Sequence, residues 1–139
     1  MVTKASKEIY TNISKKLLSI ANTSIDISDG LIADLEKLIN KQKLSYILYL
    51  KDIPVSKKLK KLINLKKIKK QTCISRGDDY QILFTASQSK SRIIDKTFKT
   101  LGIKVSKIGK ICPVFQKSQI INEKNKNIML KNKGYFHSF

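Results

Sequence analysis

Ala21-Asn22-Thr23-Ser24-Ile25-Asp26-Ile27-Ser28-Asp29-Gly30-Leu31-Ile32-Ala33-Asp34-Leu35 changes its hydrophobic period part-way along. Ser24-Ile25-Asp26-Ile27 alternates polar and apolar residues, which predicts a short strand. Ser28 ahead of Asp29-Gly30 resembles a helix N-cap followed by an acidic first turn. Leu31, Leu35, Leu38 and Ile39 then fall on one side of a helix. A strand that passes through a tight acidic turn into a helix is the unit around which the rest of the chain is read.

On the N-terminal side, Ile9, Ile13, Leu17 and Ile20 are spaced by four, four and three, so residues 4–21 are expected to form an amphipathic helix. On the other side, Tyr46 to Ile53 is β-branched, aromatic and aliphatic and stops at Pro54, as a strand would. A basic helix is expected over Ser56 to Lys70, with eight lysines, no acid and a narrow stripe of Leu59, Leu62 and Ile63. Such a helix fits a solvated outer face packed on a sheet, or a surface for nucleic acid or membrane. Tyr80 to Thr85 reads as a strand and residues 89–101 as a helix carrying Ile93, Ile94, Phe98 and Leu101. Ile103 to Ile111 reads as a further strand. Polar residues Glu123 to Asn127 suggest a turn between Gln119-Ile120-Ile121 and Ile128-Met129-Leu130, a terminal hairpin. Mixed helices and strands in one compact chain make the expected class α/β, an α+β sandwich with helices packed on one face of a mainly antiparallel sheet.

The chain has 139 residues, enough for one domain or one half of a two-domain enzyme. With 41% apolar and 7% aromatic residues it can bury a largely aliphatic core. Twenty-nine Lys and Arg against ten Asp and Glu give a formal charge of +19, which favours polyanionic partners. Only Arg76 and Arg92 are arginines, so the guanidinium fork that reads base edges is nearly missing, and an AT-rich coding bias also explains the lysines. Cys73 and Cys112 stand apart without ligand spacing, and MVTKASKEIY does not resemble a signal peptide; a cytoplasmic protein without a membrane span is expected.

In a chain this poor in acid, six of the ten carboxylates lie in two places: Asp26, Asp29, Asp34 and Glu36, then Asp78-Asp79. Clustered like charges cost energy unless a cation or hydrogen bonds offset them, which suggests a hard-metal site. In strand geometry Asp26 and Ser28 point to one side, and Asp29 opens a helix whose free N–H groups would favour a phosphate. The second island, Ser75-Arg76-Gly77-Asp78-Asp79-Tyr80, is a glycine-containing turn that leads into a strand. Capping and turn formation are the more ordinary reading of both islands, because Asp is common at both. Asp34 and Glu36 are expected to face solvent.

These segments resemble the C-terminal domain of the bacterial thiamine-monophosphate kinase family. Ala21 to Leu35 looks like that family's A-x-x-x-I-D-x-S-D-G-L-x-x-D-L. Ser75 to Thr85 looks like its S-G-G-[ED]-D-Y-E-L-x-F-T, and Leu101-Gly102-Ile103, Ile108-Gly109-Lys110-Ile111 and Lys133-Gly134-Tyr135 follow in order. Arg76 stands for the first Gly of the turn, Gln81 for the usual Glu, and no Asp lies between Tyr135 and His137. His137, the single histidine, reads as a terminal contact rather than a catalytic base.

The resemblance implies a fold like the C-terminal domain of the aminoimidazole ribonucleotide synthetase superfamily. It also implies ATP-dependent, magnesium-requiring phosphorylation of thiamine monophosphate to thiamine diphosphate. By position, Asp26 and Asp29 would be Mg²⁺ ligands, Ser28 would touch the ATP phosphates, and Asp78 and Tyr135 would contact the substrate. No residue is implied as a general acid or base. Residues 1–139 would form a single C-terminal-type domain without the family's N-terminal nucleotide-binding domain. That domain would then be needed in cis or in trans, with a homodimer when complete. The competing expectations are a basic module that keeps the fold and binds RNA or acidic membrane, or an inactive remnant. Nucleic acid is not the expected partner of the kinase reading.

Overall fold

The structure, a computed structural model, describes residues 2–4, 7–40, 43–55, 57–66, 81–113 and 116–128. Strand β1 (Val2–Lys4) leads into helix α1 (Lys7–Ile20), then β2 (Thr23–Ile27), α2 (Leu31–Asn40) and β3 (Leu44–Tyr49). Helix α3 (Lys57–Asn64), β4 (Gln81–Thr85), α4 (Ser91–Thr100), β5 (Val105–Ser106), β6 (Gly109–Pro113) and β7 (Gln119–Ile121) follow. Two sheets form. One is wholly antiparallel in the order β2-β4-β1-β5, and the other runs β6-β3-β7, with β3 antiparallel to β6 and parallel to β7.

Strand β4 links the two halves of the core because it is buried on both sides. Ile82 and Phe84 join Ile13, Leu17 and Ile20 of α1 and Ile94 and Phe98 of α4, and Phe84 stacks on Phe98 at a centroid distance of 5.8 Å. Leu83, pointing the other way, joins Leu31, Ile32, Leu35 and Ile39 of α2 together with Tyr46 and Leu48 of β3. A strand buried on both faces reads as an unbroken apolar run, as Ile82-Leu83-Phe84 does. Each of these side chains contributes about 1.5–3 kcal/mol on burial. The class is the mixed α/β one expected, but the helices do not keep to one face: α1 and α4 cover one side of the four-stranded sheet and α2 the other, because β4 presents apolar residues on both sides.

Several elements depart from expectation in length. Helix α1 begins at Lys7 rather than residue 4, because Val2–Lys4 pairs with Gln81–Leu83 and Val105–Ser106. Three residues carry too little periodicity to reveal a partner that far along the chain. Strand β3 ends at Tyr49, and the apolar run continues through a 3₁₀ turn (Leu50–Asp52) that buries Leu50 and Ile53. The expected strand over 103–111 is two strands in different sheets, with Ile103 buried ahead of the first and Ile108 buried between them. Helix α3 is shorter than the expected 56–70 run, its described lysines are exposed, and Leu62 and Ile63 are half-buried. The hairpin after β7 turns at Asn122–Asn125, and the Ile128 N–H donates to the Ile120 carbonyl at 2.8 Å.

The Leu101-Gly102-Ile103 motif is a helix stop. Gly102 has φ +67°, its N–H donates to Lys99 O at 3.1 Å, and the Ile103 N–H donates to Phe98 O at 3.0 Å. That pair of bonds is a Schellman ending, closed by the apolar contact that the buried Ile103 and Phe98 provide. Among the described residues no helix is long and apolar enough to cross a membrane.

Candidate functional site

The acidic turn lies between β2 and α2. Ile27 is buried, whereas Asp26 and Ser28 on either side of it are exposed, as strand alternation requires. Asp26 lies across from Ile82 of β4 and Ile27 from Gln81, so the central strand fixes where the turn begins. Gly30, at φ +121°, takes a backbone conformation closed to residues with a Cβ and starts α2 at Leu31.

Asp34 holds this turn in place and does not face solvent as expected. It is 1% exposed, and its Oδ2 accepts the backbone N–H of Ser28 at 2.7 Å and of Asp29 at 3.0 Å. Its Oδ1 accepts Lys37 Nζ at 3.0 Å, and the same ammonium also bonds Asp29 Oδ2. A buried carboxylate is expensive unless its lone pairs are filled, and three donors fill them here. The arrangement is a capping box in reverse, in which a side chain inside the helix reaches back to N–H groups before it. The Ser28 and Asp29 N–H groups are therefore not free for a phosphate, a correction to the sequence expectation.

Glu36 is half-buried instead of facing solvent, and it accepts the Tyr46 hydroxyl at 3.2 Å. Burial raises the Tyr46 pKa well above its ordinary value, and the neighbouring Glu36 charge and hydrogen bond add to the rise. The hydrogen bonds that Lys37 donates to Asp29 and then to Asp34 raise its own pKa. A hollow of about 370 Å³ adjoins Asp26, walled by Ser14, Leu17, Ser24 and Ile82 among others. Of the residues the resemblance singled out, Asp26, Ser28 and Asp29 are brought to one turn, and Asp78 and Tyr135 lie outside the described residues. Arg76, Asp79 and His137 lie outside them too. Sequence reading missed Asp34 and Lys37 as parts of this turn. Their signal was the spacing of Asp34, five and six residues beyond Asp29 and Ser28, with a lysine one helical turn later.

Among the described residues no three His, Cys, Asp or Glu side chains are grouped to enclose a metal. The donor set does fit an ion shared with other oxygens, since magnesium commonly takes one or two carboxylates and completes its shell with water and phosphate. The Lys37 ammonium, seated between Asp29 and Asp34, is itself a cation standing at that turn.

No protein-family model matches the chain. The thiamine-monophosphate kinase of Buchnera aphidicola subsp. Acyrthosiphon pisum (strain APS) is 34% identical to it over a match that covers 87% of the chain. The chain is a relative of the thiamine-monophosphate kinases. It spans 37% of the length of that curated relative. Among solved structures, the thiamine-monophosphate kinase of Stenotrophomonas maltophilia K279a superposes with a TM-score of 0.68 at 23% identity, covering 81% of this chain and 34% of that one. AaThiL complexed with AMPPCP and TMP superposes with a TM-score of 0.65 at 25% identity, covering 90% of this chain and 37% of that one. The two-sheet fold described above is thus the fold of a part of these kinases.

Proposed function

We propose that this chain is the C-terminal part of a thiamine-monophosphate kinase, which transfers the γ-phosphoryl group of ATP to thiamine monophosphate and yields thiamine diphosphate. The observation that carries the reading is the ordered Asp26-Ile27-Ser28-Asp29-Gly30 turn, held by Asp34, in a chain 34% identical over 87% of its length to a kinase of that name. A relative's complex with AMPPCP and TMP supports the two substrates.

The acceptor is a phosphate monoester with a second pKa near 6, mostly dianionic at about pH 7, so no general base is needed to create a nucleophile. The obstacle is repulsion between two polyanions, and phosphoryl transfer is catalysed chiefly by positioning and charge neutralisation. Asp26 and Asp29 would hold magnesium, which would supply positive charge to neutralise the phosphates. Asp34 fastens the turn at the Ser28 and Asp29 N–H groups, and from it the two carboxylates and the Ser28 hydroxyl would meet the nucleotide. Asp78 suits the cationic thiazolium and amino-pyrimidine of the substrate, and Tyr135 offers it an aromatic face. Most of the other metal-binding aspartates and the dimer interface would come from an N-terminal domain, so the 139-residue chain by itself would be inactive.

Complementation tests this. Mixing the chain with an N-terminal half of a related kinase should produce ATP- and Mg²⁺-dependent thiamine diphosphate, and Asp29→Asn should lower the rate by about a hundredfold or more. A mixture that stays inactive, or an Asp29→Asn chain that works equally well, would remove the metal role. Robust synthesis by the purified chain alone would overturn its dependence on a second domain.

A further inference from the structure

Lys37 and Asp34 both serve the acidic turn, but they are held very differently. Asp34 is buried and fastened to the backbone at two points through Oδ2. The Lys37 side chain is 52% exposed and reaches the turn from one helical turn further along α2, with its ammonium between Asp29 Oδ2 and Asp34 Oδ1. Backbone bonds fix Asp34 whatever the lysine does. The half-exposed Lys37 side chain can swing into water, where hydration of the ammonium offsets part of the pairing it gives up with the two carboxylates.

We infer that Lys37 is a built-in counter-cation that occupies the Asp29 carboxylate until a divalent ion displaces it, and so sets a weak affinity for that ion. The inference rests on the reading of Asp29 as a metal ligand. It follows from charge. Two carboxylates drawn together by one turn repel, and the ammonium offsets that repulsion without any metal. An arriving divalent cation then meets a positive charge already seated on its ligand and must evict it, which subtracts the Lys37 pairing from its own binding free energy. Once displaced, Lys37 leaves Asp34 still bonded to Ser28 and Asp29, so the turn keeps its shape while its charge balance changes. Lys37 in this role is a positioning residue for charge, and touches no reacting atom.

Mn²⁺ and Mg²⁺ titrations of the 139-residue chain test the inference without relying on activity. Lys37→Met should bind Mn²⁺ about three- to tenfold more tightly than the wild type. Lys37→Arg should restore the weaker binding, and Asp29→Asn should abolish the gain in either background. In the wild-type chain, the NMR signal of the Lys37 ammonium should shift on Mg²⁺ addition with the midpoint of ion binding, a signature that a purely structural lysine would lack. Binding that depends on Asp29 but is equal in wild type and Lys37→Met, with a stationary Lys37 signal, overturns the counter-cation role and leaves the metal reading standing. If Lys37→Met shows no Asp29-dependent binding, the metal reading falls and the inference with it.

Discussion

The turn before α2 and helix α3 treat charge in opposite ways. At the turn, Asp34 is buried, three donors fill its oxygens, and Lys37 spans two carboxylates. Along α3, Lys57, Lys60 and Lys61 point to solvent. A formal charge of +19 therefore says little about where electrostatics shape this molecule. What matters is whether a charged group is buried and held in fixed geometry, since an exposed group is screened and conformationally free.

If this contrast is right, Asp34→Ala has the largest effect. Removing one partner of a buried charged network should cost about 3–5 kcal/mol, measured by urea denaturation. A loss below about 1 kcal/mol would put Asp34 on the same footing as the α3 lysines. Tyr46→Phe comes next, at about 0.5–1.5 kcal/mol for the bond to Glu36. It also carries a pH signature. Tyr46 and Lys37 both have pKa values raised in the folded chain above their ordinary 10.0 and 10.5. The folded state thus keeps these protons longer than the unfolded chain does. Their stabilisation is complete below about pH 10 and is lost as pH rises through the folded-state values. Denaturation midpoints should fall on the alkaline side of pH 10, and less steeply in Tyr46→Phe. The smallest effect is expected from Lys57, Lys60 and Lys61 changed one at a time to Gln, within about 0.5 kcal/mol each. If the triple variant also loses strong, salt-sensitive binding to RNA or anionic vesicles, α3 is a selected surface and not a solvated face.

The same contrast explains what could be read from the chain alone. Helix α2 and β2 were legible from local period and β4 from its unbroken apolar run, and the Asp26-Ser28-Asp29 turn came with them. Asp34 stands three residues after Leu31 and four before Leu38, on the apolar side of α2, yet an acid there reads as solvent-facing because the groups that fill its oxygens are backbone N–H groups five and six residues earlier. The break between β5 and β6 did leave a mark in the chain: Ile103 and Val105 keep one parity and Ile108 falls on the other, so the alternation slips at Ser106-Lys107, where the chain changes sheets. Leu101-Gly102-Ile103, quoted as part of a family pattern, has a sufficient reason in the ending of α4.

Strand β1 has a bearing on the order of events during synthesis. Val2–Lys4 lies between β4 and β5, so these residues must wait for residues 81–106 before they can pair on both edges. Closure of that sheet is a long-range step, of the kind that sets a slow folding rate. Substitutions that weaken β1 would therefore act on assembly kinetics while leaving the aspartates of the turn before α2 untouched.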